Sequence, residues 1–206
     1  MPFDLDSRGG PFMPSDMLFD DRHDAADDGA DFERFIYEIF DDGLPGGALK
    51  PGRGRGRDGA IDLLHDAEGA RTIVECKFIG RHATDEPLRR WKQVRNHLAD
   101  NLPQLADKPP DERGSSLYAP WLDQEKPIIG YRFCVTRPLA HGDREILQKA
   151  ILADFAALAR SRGPMAHLAS IAVEIEDWGL LRAKLQSNFP LILRWFGNLQ
   201  IGRAHV

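Results

Sequence analysis

The order of apolar segments in this chain predicts an α/β sandwich, with helices on both faces of one mixed sheet of four to five strands. Three observations carry that prediction. A helix with a single apolar face comes first, a strand-turn-strand unit rich in β-branched residues follows, and two later strands alternate with helical stretches. At 206 residues with 42% hydrophobic content, the chain can bury a sizeable core as one domain plus tails.

Taken in order, residues 1–26, with "SRGGPFMPSD" and an Asp-rich run, lack periodicity and read as an acidic flexible tail. Asp27 or Asp28 can cap a helix in which Phe32, Phe35, Ile36, Ile39 and Phe40 follow the i, i+3, i+4, i+7, i+8 spacing of one apolar face. Residues 60–65 form a short strand, Glu68-Gly69 a hairpin turn, and "TIVECKF" at 72–78 a buried strand. Residues 86–105 give a second helix with Leu88, Trp91, Val94, Leu98 and Leu102 inward and a proline close to its end. The stretch from 106 to 127 is rich in proline and charge and reads as a long loop or insertion. A third strand at 128–136, a turn at Arg137-Pro138, a helix at 143–159 and a fourth strand at 170–175 follow, then two short helices broken at Pro190. The domain therefore spans 27–178, with C-terminal helices or a linker at 179–200.

The chemistry is concentrated in one pattern, Asp62-x12-Glu75-x-Lys77. Residues i and i+2 on a strand share a face, so Glu75 and Lys77 point the same way. If Glu68 and Gly69 are the two turn residues, antiparallel pairing sets Asp62 opposite Glu75, with Cβ atoms about 5 Å apart. Two carboxylates so close repel unless positive charge lies between them, and a hard divalent cation would supply it. A solvated strand edge is the bland reading of such a loose pattern. Its setting within "AIDLL" and "TIVECKFI" argues against that reading, because charge is expensive in apolar runs.

The net charge of −5 is unevenly spread. Residues 1–45 hold 13 acidic and 3 basic side chains of the chain's 32 and 27, which leaves a balance of +5 on the rest. In "LKPGRGRGRD", Lys50, Arg53, Arg55 and Arg57 precede the Asp62 segment, where forked guanidinium contacts can take phosphate oxygens. Cys76 and Cys134 lack CxxC spacing and read as core thiols. His65, His82, His97, His141 and His167 form no HExxH or HxH pair, which disfavours a histidine metal site. No stretch of eighteen apolar residues occurs and the N-terminus is acidic, so neither a membrane partner nor a secretory signal is expected, and the expected location is cytoplasmic.

The helix "FERFIYEIF", the Gly-rich loop, "GRDGAID", the hairpin and "TIVECKF" together resemble the PD-(D/E)XK restriction-endonuclease-like superfamily, especially its Mrr and Holliday-junction-resolvase branch. The resemblance covers roughly residues 28–178. It implies a restriction-endonuclease-like α/β/α sandwich and a Mg²⁺-dependent endonuclease (Mn²⁺ substituting) acting on DNA, double-stranded by expectation, and it admits a homo-oligomer. The metal ligands it implies are Asp62, Glu75, the backbone carbonyl of Cys76 and, from the first helix, Glu33, with Lys77 as the catalytic lysine. Gln93 matches a position that supports the site. Two departures are present: no proline precedes the Asp, and Cys76 fills the variable position between Glu75 and Lys77.

Farther on, "FCVTRPLAHGDREILQ" and "VEIEDWGLLRAKLQSNFPLILRWFG" are similar to N-terminal nuclease effector domains of bacterial anti-phage STAND ATPases, which implies a sensor and ATPase region downstream in the native chain. Residues 201–206, Ile-Gly-Arg-Ala-His-Val, read as a sequencing-adapter read-through and are expected to be non-native. Two rivals stand beside the nuclease: a catalytically silent nuclease fold serving as a DNA-binding or assembly module, and a structure-specific resolvase.

Overall fold

The computed structural model of the chain describes residues 25–41, 46–52, 59–79, 87–161 and 163–192. The first helix, α1 (Ala25–Asp41), leads into β1 (Gly47–Pro51), β2 (Leu63–Ala67) and β3 (Ala70–Lys77). After these come α2 (Pro87–Ala106), a short α3 (Pro110–Arg113), a 3-10 turn (Ala119–Leu122) and β4 (Ile128–Val135). The described chain closes with α4 (His141–Ser161), a 3-10 segment (Gly163–Ser170), β5 (Ala172–Glu176) and α5 (Trp178–Gln186).

The five strands form one mixed sheet in the order β1-β2-β3-β4-β5. β1, β2 and β3 are antiparallel neighbours, while β3, β4 and β5 run parallel, each parallel pair joined across helical segments. β3 is thus the strand at which the sheet changes sense. Its side chains alternate between two cores. Ile73 shares one face with Tyr131, Phe133 and Val135, beneath Trp91, Leu98 and Phe155 of α2 and α4. Val74 and Cys76 share the other with Cys134, beneath Phe32, Phe35 and Ile36 of α1 and Trp178 and Leu181 of α5. Helices on both faces of a mixed five-stranded sheet make an α/β/α sandwich.

The apolar face expected for the first helix is the one that packs: Phe32, Phe35, Ile36 and Phe40 are buried and Ile39 partly so. Arg132 and Lys184 each lie over the Phe40 ring, 4.9 and 4.7 Å from its centroid, and pin the end of α1 to β4 and α5. The turn at Glu68-Gly69 is also as expected, with Ala67 paired to Ala70 and Gly69 at φ 77°.

Five sequence expectations are corrected. Asp27 and Asp28 lie inside α1, which starts at Ala25, so neither caps it. Residues 60–62 are not strand, because Gly59 and Ala60 both take left-handed φ values of 73° and 61°, which no strand accommodates. β2 therefore begins at Leu63 and runs on to Ala67. β1 was not anticipated; it is a short edge strand ending in proline, where the missing N–H costs no ladder bond. The stretch from 106 to 127 is no simple loop, since it carries α3 and the 3-10 turn whose Trp121 and Leu122 are buried. The break between the last helices falls at Ser187-Asn188, where Asn188 Oδ1 accepts the Leu191 N–H, and Pro190 sits in the first turn of the second helix.

Of the tail expected at 1–26, Ala25 and Ala26 belong to α1, and residues 1–24, like 193–206 with the proposed non-native end, lie outside the described residues. Residues 179–192 contribute Leu181, Leu185, Leu191 and Ile192 to the core beneath α1. Among the described residues, no helix is long and apolar enough to cross a membrane.

Candidate metal and nuclease site

Asp62 reaches its place through a turn that the rest of the fold holds rigidly. Gly59 precedes it in the left-handed region, and a Cβ there would lie 2.3 Å from the Leu117 carbonyl oxygen. Trp121 Nε1 donates to the Gly59 carbonyl at 2.8 Å. On the other side, the Gly52 N–H donates to the Asp62 carbonyl at 2.6 Å, and a Cβ on Gly52 would come 2.0 Å from the Ile61 oxygen. Glycine is required at both places. Ala60, non-glycine at positive φ, stores strain two residues before the carboxylate, a kind of cost that clusters at functional sites.

β2 pairs with β3 only as far as Leu63 opposite Val74. Asp62 is one step beyond that pair and so stands across from Glu75, in the expected register. With no ladder partner left on that side, the Cys76 N–H donates instead to Asp62 Oδ2 at 2.6 Å. Lys77 Nζ lies 2.5 Å from Glu75 Oε1 and 3.4 Å from Asp62 Oδ2. Asp62 and Glu75 side chains are 4% and 2% exposed against 25% for Lys77, so the carboxylates lie beneath the ammonium. Burial pushes the Lys77 pKa down, but the charges of Glu75 and Asp62 more than reverse this and hold it well above the usual lysine value. The positive charge expected between the carboxylates is thus present as Lys77 itself.

The Cys76 side chain points away from the trio, into the core with Cys134. Burial pushes its thiol far up, as do Cys134 and the charges of Asp62 and Glu33. Glu33, half-buried on α1, therefore lies within electrostatic reach of Cys76, on the α1 face of β3. N–H and C=O of one strand residue leave the backbone on the same side, so the Cys76 carbonyl faces the edge that its N–H shares with Asp62.

The remaining candidates are placed differently. Lys50 is 59% exposed on β1 and pairs with Asp66 at 3.3 Å, in a network in which Asp66 also meets Lys126 at 3.1 Å and Arg71 at 3.7 Å. These cations hold the Asp66 carboxyl below its ordinary value, Lys126 foremost. Gln93 is exposed on α2 and accepts from Arg90 at 3.4 Å. Arg53, Arg55 and Arg57 lie outside the described residues, between the anchored Gly52 and Gly59. Ile61 and Gly52, neighbours of Asp62, line a cleft of about 800 Å³ whose far side is Leu117, Pro120 and Leu122.

Among the described residues, no group of three or more His, Cys, Asp or Glu side chains is placed to hold a metal ion. Asp62, Glu75 and the Cys76 backbone offer two carboxylates and a carbonyl, all hard oxygen donors of the type Mg²⁺ takes alongside its waters. Sequence reasoning missed Trp121 and Tyr131. The one signal for Trp121 was a tryptophan between proline and leucine in an otherwise polar stretch. No family model, curated protein or solved structure matches this chain.

Proposed function

We propose that this protein is a metal-dependent endonuclease of the restriction-endonuclease-like kind, hydrolysing phosphodiester bonds in DNA and serving as the nuclease effector of a bacterial defence system. The observation that carries the reading is the convergence of Asp62, Glu75 and Lys77 at the point where β2 and β3 part, with Cys76 N–H bonded to Asp62 Oδ2. Asp62, Glu75 and the Cys76 carbonyl would hold Mg²⁺, with Glu33 as a more distant contributor. Bound there, the ion supplies Lewis acidity, which offsets charge developing on the phosphate and makes a nearby water more acidic.

The chain's own residues do the rest. Asp62 and Glu75 hold charge in a buried pocket, where its influence is strong. Lys77, a quarter exposed and firmly protonated, reaches the surface of the site and donates to the attacking water or to a phosphoryl oxygen. Arg53, Arg55 and Arg57 follow the anchored Gly52 and would bind the phosphate backbone.

A second reading has one observation in its favour. Lys77 already balances the carboxylates, so a catalytically silent nuclease fold that binds DNA could keep the trio without metal. Supercoiled plasmid incubated with protein and Mg²⁺ or Mn²⁺, against EDTA, separates the two. The nuclease reading expects metal-dependent nicking or linearisation, reduced about 100-fold or more in Asp62→Ala and Lys77→Ala. Plasmid binding with neither metal uptake nor nicking would establish the silent module instead.

A further inference from the structure

Tyr131 lies in the centre of β4, beside Ile73 of β3, while Phe133 lies beside Glu75. Tyr131 and Glu75 are thus diagonal neighbours on one face of the sheet, about 7 Å apart at the backbone. The tyrosine ring is fully buried, with Phe155, Trp91 and Trp121 centroids 5.1, 5.7 and 6.1 Å away. Its hydroxyl has no hydrogen-bond partner among the described residues. Burying a hydroxyl in that state is costly, and phenylalanine, already used at 133 and 155, would fill the same space without the cost. The packing accounts for the ring and leaves the oxygen unexplained.

Chemistry nearby accounts for the oxygen. Burial, then the charges of Glu75 and Asp62, push the phenol pKa far up, so this group keeps its proton and can only be a neutral donor towards an anion. Glu75 is bonded to Lys77, and a cation entering between the carboxylates must displace that ammonium. We propose that Tyr131 is a positioning residue whose O–H takes up the Glu75 carboxylate, directly or across one water, when Lys77 yields to the metal. The inference rests on the metal-dependent reading above.

Tyr131→Phe in the full chain removes only the oxygen, and Phe155→Leu loosens the same aromatic cluster without touching a hydroxyl. Mn²⁺ affinity by titration calorimetry, metal-free melting temperature and plasmid nicking are measured for both and for the wild type. Tyr131→Phe is expected to melt at or above the wild-type temperature, to bind Mn²⁺ 10- to 100-fold more weakly, and to recover nicking at excess Mn²⁺. Phe155→Leu is expected to melt lower with Mn²⁺ affinity within about twofold of wild type. Equal Mn²⁺ affinity in Tyr131→Phe and wild type overturns the proposal while leaving the nuclease standing. Weakening by Phe155→Leu as large as that by Tyr131→Phe also overturns it, since packing alone would then explain both. A folded wild type that takes up no Mn²⁺ removes the nuclease reading and this inference with it.

Discussion

Replacing Lys77 by methionine isolates the charge balance of the site. Methionine keeps the length and apolar stem of the side chain and deletes the ammonium, so Asp62 and Glu75 are left facing each other beneath the surface, 4% and 2% exposed. Removing one partner from a buried ion pair costs about 3–5 kcal/mol. The Cys76 N–H remains on Asp62 and places the expected loss near the lower end of that range. Urea unfolding at neutral pH in EDTA measures it directly. The same titration with Mn²⁺ tests whether metal and ammonium share one place. A ligand at 100 times its Kd adds about 2.7 kcal/mol, and the variant, free of the competing ammonium, should reach that gain at lower Mn²⁺ than wild type while failing to nick DNA. A loss under about 1 kcal/mol in EDTA would refute the claim that Lys77 balances the carboxylates. Identical Mn²⁺ dependence in the two proteins would refute competition for the site.

Three further outcomes are expected. Because the folded-state pKa of Lys77 is raised, its stabilisation is complete below the unfolded value of about 10.4 and is lost as pH climbs through the folded pKa; wild type should weaken above pH ~10.4 by an increment that Lys77→Met lacks, read from unfolding curves at stepped pH. Gly59→Ala puts a Cβ 2.3 Å from the Leu117 oxygen at a φ of 73°, so it should lower stability by roughly 2 kcal/mol or more and abolish nicking even where the variant is folded. Trp121→Phe strands the buried Gly59 carbonyl and should cost about 1–3 kcal/mol in urea unfolding, with nicking falling further than the unfolded fraction explains.

The helix faces and the register around Glu75 were legible because periodicity encodes them directly. Phe32 to Phe40 mark a stripe, and a two-residue turn at Glu68-Gly69 fixes which residue faces Glu75. Asp62, Glu75 and Lys77 could therefore be brought together on paper, with Cys76 between them. What stayed hidden depends on contacts distant in sequence. Gly59 and Ala60 look like strand lead-in until the Leu117 carbonyl and Trp121 indole, some sixty residues later, are packed against them. β1 carries one buried residue, Leu49, among exposed ones, too weak a pattern to mark a strand without its neighbour β2. Lys50 looked available for phosphate because its partner Asp66 becomes adjacent only once β1 and β2 pair.

The bond from Gly52 N–H to the Asp62 carbonyl has a thermodynamic consequence for the arginine-bearing segment. Gly52 and Asp62, the described residues on either side of segment 53–58, are already held together by it. The entropy of closing a loop is largely spent at its base and rises only slowly with length. Lengthening the segment between Gly52 and Gly59 by a few glycines should therefore leave folding nearly unchanged.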